Sequence, residues 1–329
     1  MRPDELHTRL FQLLVKQMGT QRLLDQLKTL LNIEKSAAYK RINGEKEITL
    51  TEFHILTNHF HISLDSLRGA DNFIPFYFPI HQNAIKSPAE WFSLLLPDLV
   101  PLAQKPDGQV HFTSYEVPFF YFFPFRELAL FKFYNWGKYV WRFSWLNKQP
   151  FDERLFRALG DPEIPVQAER SFQLYCQINS TELWSTEMLD ETLRQVTHQY
   201  RMGALFEQKM VETLFSQIEK MVDMLEEMAE KMRKPGSSVP NLTCFHNIAT
   251  QTNNIVSVST GQKRVVFTSF DYPNFIRTAD HSFCDYAGEW FRTLEQGSSV
   301  QISGSNPAGR RIFFATLRKK IQEAKLGLG

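Results

Sequence analysis

Apolar residues recur at helical spacing through the first seventy positions. Leu6, Leu10, Leu13, Leu14 and Met18 form one stripe, with spacings of three and four, and Gly19 stops it. Thr20 can cap the next helix, whose stripe is Leu23, Leu24, Leu27, Leu30 and Leu31. A polar break at residues 32–35 leads to Ser36 as a cap and a third helix through Ile42. Asn43-Gly44 closes it, because both residues tolerate the left-handed conformation. Thr49 with Glu52 three residues later has capping-box spacing and predicts a fourth helix from Leu50 to Phe60. Ile62 to Leu67 caps and begins a fifth.

Beyond Gly69 the texture changes. Residues 71–81 are aromatic and contain proline, as in an extended linker, and Ser87-Pro88 opens a helix to about Gln104. Gln109 to Glu116 alternates like a strand, and Phe125 to Lys138 reads as a helix. Residues 166–178, 182–203 and 205–233 are three more predicted helices, and Pro235-Gly236-Ser237-Ser238 is a break. Strand-like runs follow at Leu242–Ala249, Ile255–Ser259 and Arg264–Ser269, then amphipathic helices over 284–295 and 307–325. The expected organisation is a helical domain at 1–69, a linker at 70–84, a helix-rich aromatic region at 85–234 and an α+β region at 235–329. The fold class is therefore multidomain: an all-α N-terminal domain followed by a larger, helix-rich α+β domain.

The third helix carries candidate chemistry. At about 100° per residue, Ala38, Tyr39 and Ile42 fall on one side, where they can pack on the second helix. Ser36, Ala37, Lys40 and Arg41 fall on the other, beside Lys35. An apolar back with a front of small, polar and basic residues is what entry into a major groove requires. The stretches Thr20-Gln21, Leu27, Leu31, Ile33 and Ser36-Ala37-Ala38-Tyr39-Lys40-Arg41-Ile42-Asn43-Gly44 resemble the helix-turn-helix of XRE-type, λ-repressor-like regulators. The later Leu56, Phe60, Ile62, Leu64 and Leu67 resemble the closing helices of that family, so the likeness covers roughly residues 20–68. Lys28 stands where the family has a small residue, and Asn32 replaces its turn glycine.

The resemblance implies a sequence-specific transcription regulator that binds double-stranded DNA. Lys40 and Arg41 would then reach guanine edges or phosphates, and Ala37 a thymine methyl. Gln21 would meet a phosphate at a helix N-terminus.

Composition adds little to that picture. The net charge of +1 exerts no global pull toward nucleic acid, and residues 1–69 hold ten Lys/Arg against eight Asp/Glu. A small basic excess implies modest affinity per domain and so favours a homodimer. Three cysteines are too few for a disulfide framework. The longest apolar run, Val117 to Phe125, is far short of a membrane helix, so a cytoplasmic protein without a membrane partner is expected.

Four further patterns stand out. Val211, Leu214, Ile218, Met221, Leu225, Met228 and Met232 alternate spacings of three and four, which suggests a coiled-coil dimer helix. Sixteen aromatic residues crowd Phe112 to Trp145, as a core or as a pocket for a small-molecule effector that Arg126, Lys132 and Arg142 would orient. Cys244 and His246 with His281 and Cys284 have a loose zinc-like spacing, and no metal or cofactor is assigned. Ser303 to Gly309 reads as a helix cap, with Ser305 or Asn306 at the N-cap and Pro307 at the first position. No catalytic arrangement is visible, and no enzyme is expected. The alternative function is a protein-interaction module that docks through the N-terminal bundle.

Overall fold

The computed structural model describes residues 3–60, 62, 64–67, 74–78, 85–147, 149–152, 163–205, 207–247, 253–261 and 263–328. Most of the predicted linker at 70–84, and the end of the predicted strand at 242–249, lie outside these residues. The chain divides into two units, residues 1–76 and 77–329.

The first unit is helical: α1 (Pro3–Met18), α2 (Thr20–Leu31), α3 (Lys35–Ile42), α4 (Leu50–His59) and the short α5 (Leu64–Leu67). Its core is the predicted stripes brought together, with Leu10, Leu14, Leu23, Leu27, Ala38, Leu56 and Leu67 buried in one cluster. Gly19 rather than Thr20 is the N-cap of α2, and Glu34 rather than Ser36 that of α3, neither with a side-chain cap bond. Asn32 takes the left-handed conformation at the end of α2 (φ 51°). Gly44 does so beyond α3 (φ 76°), as the Asn-Gly pair predicts. The capping box is present: Glu52 N–H donates to Thr49 Oγ1 at 3.2 Å, and Thr49 N–H donates to Glu52 Oε2 at 2.9 Å.

The second unit is built on a seven-stranded mixed sheet. Its strands are β1 (Gln109–Ser114), β2 (Asn179–Trp184), β3 (Leu242–Asn247), β4 (Ile255–Thr260), β5 (Lys263–Asp271), β6 (Asn274–Thr278) and β7 (Ser299–Gln301), in the order β6-β5-β4-β1-β2-β3-β7. β1, β2 and β3 run parallel, and every other pairing is antiparallel. Parallel neighbours need long crossovers, and helices supply them. The helices are α6 (Pro88–Ala103), α7 (Arg126–Asn135), α8 (Ile164–Gln177), α9 (Asp190–Arg201), α10 (Gln208–Lys231), α11 (His281–Thr293) and α12 (Pro307–Leu326). Because β1 and β2 precede residue 235 while β3 to β7 follow it, the expected division at 234/235 is absent, and one sheet joins both halves.

The sheet has two covered faces. Val110, Phe112, Trp184, Leu242 and Cys244 enter the main aromatic core, while Leu183 packs with Phe291 and Leu294 on the other side. The helix expected over 182–203 is corrected here. Residues 179–184 are a central strand, and α9 starts only at Asp190. Period-two alternation governs this segment: Glu182 and Trp184 enter one core and Leu183 the other. A fully buried glutamate inside it hides that alternation from a reading of hydrophobicity. The edge strands β6 and β7 are short, too short for an alternating pattern to mark them in the sequence.

Glu182 is saturated by neutral donors. Its Oε1 accepts from the hydroxyls of Tyr121 (2.7 Å), Tyr175 (2.8 Å) and Ser180 (2.9 Å), and its Oε2 from Trp184 Nε1 (2.9 Å). Nearby, buried Lys234 donates to the carbonyls of Tyr175 and Ile178, and burial pulls its ammonium down to about 8. Glycine is required at one tight approach in this core, since a Cβ on Gly137 would lie 2.7 Å from Phe143.

Candidate functional site

The third helix presents a face different in detail from the expected one. Lys35, Ser36, Tyr39 and Lys40 are exposed, Tyr39 by 50%, and Ala37 is half-buried. Arg41 is buried at 4% exposure, so it is withdrawn as a DNA-contacting residue. Its guanidinium grips Glu52 of α4 through Nη2 (2.6 Å to Oε1) and Nε (3.3 Å to Oε2), and its Nη1 donates to the Ala37 carbonyl at 3.1 Å. The Arg41 carbonyl accepts from His7 Nε2 at 2.7 Å, which ties α1 into the same node. Tyr39 and Arg41 have therefore exchanged places relative to the expected faces. The helix is rotated so that positions 35, 36, 39, 40 and 43 share the wet side.

Electrostatics keep the node intact. Burial pushes the Glu52 carboxyl up, but hydrogen bonds from Arg41 and the Thr49 backbone, with the charges of Arg41 and Lys46, outweigh it and hold the carboxyl below its usual value. Arg41 thus spends its charge inside the unit, and the exposed cations of this face are Lys35 and Lys40. Among the described residues neither makes an ion pair. Gln21 is exposed in the first turn of α2, whose N-cap Gly19 makes no side-chain cap bond.

The heptad positions do not form a dimer surface. Val211, Leu214, Ile218, Met221, Leu225 and Met228 are all at most 2% exposed within the chain's own core. Their seam is filled by α12, which runs antiparallel to α10 and contributes Phe313, Phe314, Leu317 and Ile321. The flanking charges pair inside the chain: Arg318 with Asp223 (2.7 Å) and Glu226 (2.5 Å), and Lys325 with Glu219 (2.6 Å). Period 3.5 correctly reported a helix packed along its whole length. The partner is simply another helix of the same chain.

The aromatic block is mainly core. Phe119 to Phe123, Phe131, Phe133 and Tyr134 are buried, and Lys132, fully buried, pairs with Glu116 rather than facing a ligand. Cys284 Sγ donates to the Arg264 carbonyl at 3.6 Å. Among the described residues no three His, Cys, Asp or Glu side chains converge as a metal site would require. Asn306 is the N-cap of α12, its Oδ1 accepting from Gly309 N–H at 3.0 Å, with Pro307 at the first position. Arg310 is committed to the carbonyls of Ile302 and Gly304. Among the described residues, no helix is long and apolar enough to cross a membrane. The chain matches no family model, no curated protein and no solved structure.

Proposed function

We propose that this chain is a sequence-specific DNA-binding transcription regulator whose N-terminal unit reads duplex DNA in the manner of λ-repressor-like helix-turn-helix proteins. One observation carries the reading: α3 offers Lys35, Ser36, Tyr39 and Lys40 to solvent on a single face, while Ala38 and the Arg41–Glu52 pair fix its back. A helix held this rigidly can present short polar and basic side chains to base edges. Lys40 and Ser36 are the base-edge candidates, Lys35 and Gln21 the phosphate contacts, and Tyr39 the apolar contact to a thymine methyl or sugar. The proposal places no dimer contact on α10, whose apolar face is occupied.

The test is selection of bound sequences from a randomised duplex pool by the full chain, followed by fluorescence anisotropy on the enriched duplex. Enrichment of a common motif, with binding at least about tenfold weaker for Lys35→Ala combined with Lys40→Ala, is expected from two lost charge-assisted contacts. Failure to enrich any motif at low salt contradicts the reading.

A second reading has its own observation. Tyr39 is half-exposed and Leu50 is 83% exposed, and Glu34, Glu45 and Glu47 around them are exposed too. These suit docking of a protein rather than DNA. That binding would depend on Tyr39 and Leu50 and only weakly on salt, whereas DNA binding falls steeply as salt rises.

A further inference from the structure

A cavity of about 470 Å³ opens in the α+β unit at the carboxyl end of β1. There β1 runs on into Tyr115 and Glu116, and Asn253 and Asn254 lead into β4 beside it. Carboxyl ends of parallel strands are where sheets of this kind place ligands. The volume lies within the usual range for small-molecule sites.

The chemistry of the wall narrows the ligand. Asn135 Nδ2 donates to the Phe131 carbonyl (2.8 Å), which can only accept, so the orientation of this amide is set. Asn135 Oδ1 then accepts from Gln199 Nε2 at 2.7 Å, and that sets Gln199 as well. Among the described residues, Gln199 Oε1 is left as a buried acceptor with no hydrogen-bond partner, on a residue only 2% exposed that lines the cavity. Leaving such an oxygen unpaired is costly, and a ligand N–H would offset that cost.

The charges of the wall are already matched. Among the described residues of the wall, Glu116 is held by Lys132 and Thr192 and Arg194 is paired with Glu191, so Arg194 is not free to recruit an anion. The mouth is aromatic: Tyr115, Tyr139 and Phe270 are 47%, 57% and 71% exposed there, and Trp136 lies deeper. Aromatic faces bind planar rings by stacking. A carboxamide, which Asn253 adds to the wall, can pair with the mixed N–H and C=O edges of such rings, whereas the Gln195 amide is already bonded to Lys132 and Glu191.

We propose that this cavity binds an uncharged nucleobase or nucleoside, stacked against the rim aromatics and donating an N–H to Gln199 Oε1. Phe270 is also in ring contact with Phe78 (5.6 Å). The site stands independently of the DNA-binding reading.

The test is calorimetric titration of the full chain with adenosine, guanosine, cytidine and uridine, each separately, with adenosine monophosphate and glucose as comparators. At least one nucleoside should bind with Kd below about 1 mM. Tyr139→Ser and Phe270→Ser, whose side chains are exposed so that folding is spared, should each weaken it by roughly fivefold or more. Gln199→Met, with its melting temperature checked alongside, should weaken it too, and adding the monophosphate charge should bring no gain. No nucleoside binding, binding indifferent to both rim substitutions, or binding of glucose alone overturns the proposal.

Discussion

Each unit withdraws a carboxylate from solvent, Glu52 in part and Glu182 fully, and they satisfy it by different means. In the helical unit Glu52 meets the guanidinium of Arg41 and also closes the capping box of α4, at the edge of a small core. In the α+β unit Glu182 sits at zero exposure on the middle one of the three parallel strands and takes its hydrogen bonds from two tyrosines, a serine and a tryptophan. The first arrangement spends a cation to lock a helix whose other side is left free. The second uses neutral donors to fix a core around which three parallel strands and their crossover helices pack. A buried charge network in a small helical unit thus fixes how α3 is turned, whereas in the larger unit it fixes how the sheet and its aromatic core meet.

The largest expected effect belongs to the α+β unit. Leu225→Lys inserts a cation into the fully buried α10–α12 seam and should lower the stability of that unit by about 4 kcal/mol or more. In calorimetry its transition should fall while that of the helical unit stays in place. A folded variant that had merely dissociated from dimer to monomer in light scattering would restore α10 as an intermolecular helix. Next comes Glu182→Leu, which strands the hydroxyls of Tyr121 and Tyr175 and the Trp184 indole N–H, for a loss of roughly 3 kcal/mol. The same transition reports it, and a loss well below 1 kcal/mol would mean that the donors find other partners.

The smaller effects belong to the helical unit. Arg41→Met should destabilise it by about 2 kcal/mol, less than a fully buried pair would cost because the Glu52 side chain is 15% exposed. The transition of the α+β unit should not move. The same pair predicts an acid sensitivity. Glu52 has a folded-state value below its unfolded 4.5, so its stabilisation is present above that pH and is lost as pH falls through the lower folded value. Melting of residues 1–76 followed by circular dichroism should therefore lose stability below about pH 4.5, and Glu52→Gln should flatten that part of the profile. An unchanged slope in the variant would remove the pair as the cause.

The sequence made the elements of the helical unit legible because its apolar positions keep a helical period and α4 carries a standard capping box, although Gly19 and Glu34 rather than Thr20 and Ser36 cap α2 and α3. It mis-set the rotation of α3, since a long basic side chain looks like a surface residue until its partner is seen. The spacing from Thr49 marks Glu52 as a capping residue, but its second role toward Arg41 depends on α4 folding back across α3. The heptad of α10 was legible as a seam. Its complement, the stripe Phe313, Phe314, Leu317 and Ile321, lies in α12 almost a hundred residues away, and period alone cannot say whether a partner is internal. β2 was hidden because a strand inside two cores can carry a glutamate when neutral donors surround it. The cavity beside β1 was invisible for a related reason, since its wall gathers Trp136, Gln199, Asn254 and Phe270 from distant elements.

The central claim is that α3 meets DNA phosphates and bases through Lys35 and Lys40 while Arg41 stays inside. The most direct measurement is the slope of log affinity against log salt for the full chain on its selected duplex, compared with Lys35→Ala combined with Lys40→Ala. Removing the Lys35–phosphate contact together with the Lys40 base contact should make the slope shallower by about 1 and weaken binding, with both calorimetric transitions unmoved. An identical slope and affinity in the double variant would contradict the account.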